Sequence, residues 1–384
     1  MFYDENAIVK RKKMGKNIVI KSLQKYLDVI EKYPSDNFWF RGENEQFKNR
    51  DAGAFRLYQN DSFKGHIFPF IQMKDEFYRE IAYKLNNVDR QDFLAFAQHY
   101  GIPTNLLDMS EAPLISLFFA CQENKEQVDK GYVFLFERSK YIDITQLIQE
   151  NSNINVIQEI FMNNNEELFV KLYSYFDEYS KQKTAEFSFF YKRLLAEIVL
   201  FLKENKKKLF PRLPNELWGL FSSKNKRNLD DLLKKHFETS SFFARKLFNN
   251  VDANVSVLNY MFLIQAFFKL IRKSGVQNHP TISFLPKLLY QPTLTFERGM
   301  LQRGSFFFQA YCSYRDKVTD NHLLLKQDIQ SDGCLEIHNR KSILQSLDNI
   351  GINIKTIFAD YDNIALYIRR KYLRKMEAKQ TLCK

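Results

Sequence analysis

The fold is decided around the stretch QHYGIPTNLLDMS, which runs from Gln98 to Ser110. A predicted helix ends there at Gly101, because glycine suits the left-handed C-cap position, and Pro103 stops its continuation. Ser110 is a favourable N-cap for an apolar helix predicted over 111–122. The stretch is therefore predicted to be a polar loop between two helices, and loops held by rigid elements often carry binding or catalytic residues.

Two interpretations of this loop stay open from the residues alone. The free N–H groups and the positive dipole end of a helix starting at Ser110 would face the loop and suit an anion such as phosphate. Alternatively, the stretch only ends one helix and starts the next, with His99 as a structural histidine and Asp108 as a carboxylate that caps a helix.

The sheet predicted outward from this stretch is built from strands that are far apart in sequence. Short apolar and aromatic runs predict strands at 37–42, 131–137, 281–285, about 304–311 and 356–358. Helical periodicity dominates 156–273, including 186–203 and 229–248. The predicted fold class is α+β, a mixed sheet core of non-local strands with a large helical insertion.

Arg41 is a second candidate site residue. It follows three consecutive aromatic residues, Phe38, Trp39 and Phe40, and so emerges at the end of a predicted buried strand. A guanidinium group in that position either pairs with an internal carboxylate or is offered to an anionic ligand.

A third candidate segment is FERGMLQRGSF, at 296–306, which contains Glu297 and Gln302. It is not a dinucleotide-binding fingerprint because GxGxxG is absent, and the P-loop, HExxH and GxSxG motifs are absent from the chain as well. The alternative interpretation is a polar turn between core elements.

Composition narrows the class of protein. The 57 Lys and Arg residues outnumber the 45 Asp and Glu residues, which gives the 384-residue chain a net charge of +12. A hydrophobic fraction of 45% excludes wholesale disorder. Four cysteines without a CxxC pair argue against a disulfide scaffold and against a local zinc site, so no metal is expected. The positive charge attracts polyanions such as nucleic acid, but solvated basic helix faces account for it as well, and no nucleic-acid-binding fingerprint is present.

The predicted location is cytoplasmic. The N-terminal run MFYDENAIVKRKKMGK has acidic residues before its basic ones and no apolar stretch behind it, which is unlike a signal peptide. The longest uncharged run, Ala253–Phe268, is short for a bilayer and is predicted to be a core helix. No membrane partner is expected.

Taken together, the three segments resemble the FRG-domain family. The resemblance is carried by Phe40-Arg41-Gly42, by a long central block at 97–120, by a third block at 297–306, and by an ending at 351–364. The matches occur in order and span about 38–372. The chain departs from the usual family pattern at Asn105, which replaces an arginine, at Met109-Ser110, which replace Trp-Thr, and at Arg303, which replaces a glutamine.

The resemblance divides the chain into four parts. They are an N-terminal helical segment at 1–36, a first part of the FRG core at 37–155, a helical insertion at 156–275, and a second part of the core with a C-terminal helix at 276–384.

The family's block order is similar, more weakly, to that of ADP-ribosyltransferases. This similarity implies an NAD-using enzyme, with NAD as substrate. It implies the catalytic residues Glu297, Gln302 and Asp108. It implies the cofactor-binding residues Arg41, Gly42, His99, Tyr100, Thr104 and Ser110. The FRG resemblance itself implies a role in bacterial defence or as a toxin.

Two alternatives to an enzyme remain. The first is a module that binds a nucleotide or nucleic acid without turnover. The second is a protein-interaction module that docks a partner on its helical segment. The expected partners are accordingly nucleic acid or a protein acceptor.

Overall fold

The computed structural model describes residues 18–47, 50–56, 69–123, 129–209, 253–274, 281–295, 297–315 and 322–382. These residues form the predicted α+β fold, in which a large mixed sheet is surrounded by helices. The strands are β1 (Ile18–Ile20), β2 (Phe38–Glu43), β3 (Leu106–Ser110), β4 (Lys130–Glu137), β5 (Tyr141–Asp143), β6 (Lys287–Tyr290), β7 (Gly304–Phe308), β8 (Tyr311–Arg315), β9 (His322–Lys326) and β10 (Gly333–His338).

The helices connect strands that are distant in sequence. They are α1 (Leu23–Ile30), α2 (Gly53–Arg56), α3 (Phe70–Ile81), α4 (Asn87–Gln91), α5 (Phe93–His99), α6 (Pro113–Ala120), α7 (Thr145–Glu150), α8 (Val156–Phe161), α9 (Glu166–Gln182), α10 (Thr184–Leu209), α11 (Val255–Ser274), α12 (Glu297–Gln302), α13 (Arg340–Asn349), α14 (Ile354–Phe358) and α15 (Tyr361–Leu382).

The main sheet consists of two halves that meet between β2 and β3. Its strand order is β1-β10-β4-β2-β3-β7-β6-β5, while β8 and β9 form a separate pair. Strand β2 pairs with β4 along its whole length, from Phe38 opposite Glu137 to Glu43 opposite Tyr132. It pairs with β3 only at Phe40 opposite Ser110. The two halves therefore separate beyond this pair, and the resulting gap is called the β2–β3 split below.

Alternation along β2 determines what faces the split. Phe40 packs with Leu117 of α6 on one side of the sheet, and Trp39 packs with Phe134 and Phe136 of β4 on the other. Because side chains alternate along a strand, Arg41 lies on the side of Trp39.

Two glycines allow α6 to lie directly on the sheet. A Cβ atom at Gly42 would come within 1.8 Å of the Ser116 carbonyl oxygen, and one at Gly131 within 1.9 Å of the Ala120 carbonyl oxygen. Only glycine permits this approach of helix and strand backbones. The glycine of the Phe-Arg-Gly run therefore has a packing role.

The helices α8 to α11 pack against the half of the sheet formed by β3, β7, β6 and β5. Phe161 and Phe268 share one hydrophobic cluster with Phe306 and Phe308 of β7. Within α11, the window Val255–Arg272 is long and apolar enough to cross a bilayer, with a mean hydropathy of 1.3, but 72% of it is buried. A core helix has this character, as predicted for that run.

Strand β3 and helix α14 correct the sequence prediction. The segment expected to be a loop forms β3 because Leu106, Leu107 and Met109 are buried and the backbone pairs with β7. The segment 356–358, expected to be a strand, belongs to α14 because the Asn353 side chain accepts hydrogen bonds from the first backbone N–H groups of that helix.

Other predictions for single elements have mixed outcomes. Within 281–285 the structure shows only an isolated bridge at Ile282, and the strand begins later, at Lys287. The C-cap glycine is confirmed, since Gly101 has a φ of 91°. The helix predicted at 229–248 lies outside the described residues.

Candidate functional site

Arg41 bridges the β2–β3 split. Its Nε donates to Oε1 of Glu43 at 2.8 Å, and its Nη1 donates to the backbone carbonyl oxygen of Asp108 at 2.8 Å. Nη1 also lies 3.8 Å from the Asp108 carboxylate. The Nη2 group makes no hydrogen bond to any described residue, so the fork keeps donors for a ligand. Arg41 is therefore paired with an internal carboxylate, one of the two roles considered from the sequence.

Glu43 is a site residue that the sequence reasoning missed. Its side chain is 2% exposed, and its Oε1 is shared by Arg41 and by Nε of Arg50 at 3.4 Å. Its Oε2 is buried without a hydrogen-bond partner among the described residues. The signal was present, because Glu43 lies two positions after Arg41 on a strand and so faces the same side.

Arg56 adds a second guanidinium group near Arg41. The segment before it is fixed by hydrogen bonds from Ala54 N to the Thr104 carbonyl oxygen at 3.0 Å and from Ala52 N to Gln309 Oε1 at 2.8 Å. Arg56 is exposed and makes no ion pair or hydrogen bond to a described residue. Surrounding protein and then the charge of Arg41 lower the pKa of Arg56, while Asp108 and two other carboxylates oppose that change.

Asp108 presents an oriented carboxylate to solvent. Its side chain is 63% exposed, and its Oδ1 accepts a hydrogen bond from Gln98 Nε2 at 2.7 Å. Gln98 is held in turn by the buried hydroxyl of Thr104, which donates to Gln98 Oε1. Thr104, Gln98, Asp108 and Arg41 therefore form one connected chain. Asp108 is not a helix cap, because it lies inside β3.

The predicted N-cap role of Ser110 is wrong. Helix α6 begins at Pro113 with Ala112 as its N-cap and without a side-chain cap. The Ser110 hydroxyl donates to the Gln302 carbonyl oxygen at 2.6 Å and accepts from Ala112 N at 3.0 Å. Since Ala112 N is engaged and proline has no N–H, two of the donors expected to bind an anion at this helix end are lost.

Gln302 and Glu297 lie at opposite ends of α12. The Gln302 amide donates to the Ile357 carbonyl oxygen of α14 at 3.4 Å, which engages it in packing between helices. Glu297 is exposed and makes no hydrogen bond or ion pair to a described residue. The structure gives neither side chain a contact with Arg41 or with the Asp108 carboxylate.

His99 and Tyr100 follow Gln98 at the C-terminal end of α5, where His99 is the last helical residue and Tyr100 the C-cap. Burial, and then the charge of Arg298, lower the pKa of His99, while Asp360 opposes the change. This places His99 beside α12 and the start of α15. Tyr100 is exposed and packs on Phe96 with 4.7 Å between ring centroids. Gly42 lies under α6, where a ligand has no room.

Asn105 stands where the resemblance led us to expect an arginine. It is buried, and its Nδ2 donates to the Gln309 carbonyl oxygen at 3.2 Å. It therefore helps to fix β3 and makes no contribution to the surface of the split. Among the described residues, no group of three or more His, Cys, Asp or Glu side chains could hold a metal ion.

One family model matches part of the chain. The family model for the FRG domain matches residues 36–129. The matched region contains Arg41, Glu43, Arg56 and the Thr104–Gln98–Asp108 chain, and it ends before α12. Searches of curated proteins and of solved structures return no match to this chain.

Proposed function

We propose that the FRG domain of this protein binds the phosphate group of a nucleotide at the β2–β3 split, with Arg41 and Arg56 as the anion ligands. The observation that carries the proposal is the pair of neighbouring guanidinium groups. Among the described residues, Arg56 makes no ion pair or hydrogen bond, and Nη2 of Arg41 makes no hydrogen bond. Planar guanidinium groups bind phosphate oxygens in a bidentate manner.

The charges around the split favour an anion. Glu43 is shared between Arg41 and Arg50. The other carboxylate beside Arg41, that of Asp108, lies 3.8 Å from Nη1 and is mostly exposed. Burial first, and then the charge of Arg41, lower the pKa of Arg56, although its guanidinium group stays protonated at neutral pH. A bound phosphate would oppose that shift by adding a negative charge beside the guanidinium group.

A nucleotide fits this site better than free phosphate. The exposed Asp108 carboxylate lies beside the cations and would repel a second anionic group. It would instead accept hydrogen bonds from hydroxyl groups attached close to the phosphate, as in a ribose. The pairing of guanidinium donors with a carboxylate acceptor therefore matches a ribose phosphate.

The test is a calorimetric titration with ADP-ribose and with adenosine. We expect ADP-ribose to bind the parent protein, and adenosine, which lacks phosphate, to bind at least about tenfold more weakly. Arg56→Gln should weaken ADP-ribose binding by a similar factor, whereas Arg79→Gln, which removes an exposed arginine from α3, should not. Equal binding of the two ligands, or none, would contradict the proposal.

NAD cleavage is a second candidate, favoured by the orientation of Asp108. A fixed carboxylate can stabilise the positive charge that develops on ribose as nicotinamide leaves. Gln98 and Arg41 hold Asp108 from two sides, which makes it a better candidate for this role than Glu297. Consumption of NAD would be the physical basis of a toxin or defence role.

Nicotinamide release from NAD tests this second candidate. Asp108→Asn should abolish release while NAD still binds, and Glu297→Gln should retain it. The opposite pattern would move the catalytic role to Glu297. If the parent protein releases no nicotinamide with any acceptor, NAD cleavage is excluded and nucleotide binding without turnover is the function that stays proposed.

A further inference from the structure

Helix α15 has a run of consecutive exposed residues around its middle. The helix contacts α14 near its start, and Tyr367 donates to Asp348 Oδ1 at 2.8 Å. From Ile368 to Leu373 every residue is exposed, and Met376 is exposed as well. This part of the helix offers a surface outside the nucleotide site proposed above.

The exposed part of α15 is both basic and apolar. Arg369, Arg370 and Lys371 are exposed and consecutive, and Arg374, Lys375 and Lys379 follow in the sequence against the single acid Glu377. Among these basic residues lie the exposed side chains of Ile368, Tyr372, Leu373 and Met376. A partner that covers this surface must bring negative charge and apolar surface together.

We propose that the exposed part of α15 binds single-stranded nucleic acid without sequence preference. Phosphate groups would pair with the arginine and lysine side chains, and unpaired bases would pack on Tyr372 and the neighbouring aliphatic side chains. The chain's net charge of +12 would attract the strand from a distance.

Other occupants fit this surface less well. A second copy of α15 would bring like charges together. A membrane surface requires basic and apolar residues on separate faces of the helix. On α15, at about 100° per residue, Arg370 and Lys371 lie away from the apolar side, but Arg369 falls between Met376 and Leu373, where a membrane would have to accept its charge within the apolar layer. A nucleic-acid duplex offers phosphates but keeps its base faces stacked, so the apolar side chains would stay uncovered.

Fluorescence anisotropy with a labelled single strand of about 20 nucleotides, longer than one binding site, tests the proposal. Affinity of the full chain should fall steeply between about 50 and 200 mM salt and be similar for strands of different sequence. The triple variant Arg369→Gln, Arg370→Gln, Lys371→Gln should bind at least about tenfold more weakly, with a log–log salt slope smaller by about 2.

A matched control removes the same charge from α1 and its two flanking segments. Lys21→Gln, Lys25→Gln, Lys32→Gln changes three exposed lysines and should leave affinity unchanged. Tyr372→Ala should weaken binding of the single strand by about tenfold and affect duplex binding little. Equal affinity of the α15 triple variant and the parent would overturn the proposal. So would tighter binding to a duplex, or to vesicles of anionic lipid, than to the single strand.

Discussion

At the scale of single residues, the site depends on how Arg41 is held. Its Nε and Nη1 groups are engaged by Glu43 and by the Asp108 backbone, which leaves Nη2 without a hydrogen bond to any described residue. An amide of Gln98 holds the Asp108 carboxylate nearby. The positions of the two charged groups are therefore fixed before any ligand arrives.

Arg41→Lys keeps the positive charge and removes the planar fork. We expect ADP-ribose affinity to fall at least about tenfold, because the three donors of lysine share one nitrogen and cannot reproduce the planar fork that reaches Glu43, the Asp108 carbonyl oxygen and a phosphate. The midpoint of thermal unfolding should fall by only a few degrees, since Glu43 keeps a cationic partner. If Arg41→Lys bound ADP-ribose as tightly as the parent, or did not fold, the role of Arg41 as an anion ligand would be contradicted.

Glu43→Gln should destabilise the fold. The change leaves Arg41 and Arg50 side by side without their shared carboxylate, and breaking a buried ion pair costs about 3–5 kcal/mol. Urea unfolding measures this loss. Glu111→Gln, which breaks a more exposed pair with Arg138, should cost less than about 1 kcal/mol. Equal stability of the two variants would show that Glu43 does not hold the split together.

The sequence pointed to Arg41 because a guanidinium at the end of an aromatic strand needs an anionic partner. It did not identify that partner, although strand alternation places Glu43 on the same face. The hydrogen bond that the Ser110 hydroxyl donates could not be predicted, because its acceptor, the Gln302 carbonyl oxygen, belongs to a segment far along the chain. Local pattern indicates which side chains are unusual, and tertiary contacts decide what they bond.

At the scale of elements, the packing of α6 on β2 sets the position of the split. Gly42→Ala would place a Cβ atom 1.8 Å from the Ser116 carbonyl oxygen, so helix and strand must move apart. We expect a loss of about 3 kcal/mol or more, or no folded protein, since overpacking between backbones cannot relax locally. Circular dichroism during thermal unfolding measures the effect.

A control is available on another strand of the sheet. An added Cβ at Gly304 would lie 3.8 Å from its nearest neighbour, so Gly304→Ala should leave the transition almost unchanged. If Gly42→Ala unfolded at the same temperature as Gly304→Ala, close packing of α6 would not be what positions β2.

Elements whose burial is continuous were predictable, and those with mixed burial were not. The aromatic run of β2 and the apolar run of β4 are buried on both faces and were identified as strands. Strand β3 was not, because Asp108 and Ser110 give it a polar pattern that also fits a loop before a helix. Its pairing with β7, which supplies the physical reason for the strand, is non-local.

At the scale of the whole molecule, Asp332 ties the two halves of the sheet together. It accepts hydrogen bonds from Lys140 at 2.7 Å, from Lys287 of β6 at 2.9 Å, and from Glu137 N of β4 at 2.9 Å. Burial alone would raise the pKa of Asp332, but the charge of Lys287 and these hydrogen bonds outweigh it, and the pKa is lowered.

The lowered pKa predicts how stability depends on pH. A carboxyl group with a lower pKa in the folded protein stabilises it above the unfolded-state value of about 4, and this contribution is lost as pH falls through the folded value. The stability difference between the parent and Asp332→Asn should be largest near neutral pH and shrink below about pH 4. Asp362→Asn, on exposed α15, is the control, and a difference that does not change with pH would contradict this role.

The α+β class was predictable from the sequence, because strand-like and helical segments have distinct periodicities. The strand order was not, since neighbours such as β2 and β3 or β10 and β4 come from distant segments. The β2–β3 split could not be predicted from the sequence either, because it arises where the two strands pair at a single position.

A crystal structure of the protein with ADP-ribose tests the central claim most directly. The account predicts a phosphate group in the β2–β3 split, with oxygens about 3 Å from Arg41 Nη2 and from the Arg56 guanidinium group, and a ribose hydroxyl within the same distance of Asp108. A phosphate bound elsewhere, for example beside His99 and Arg298, with the split unchanged and its guanidinium groups without a ligand, would contradict it.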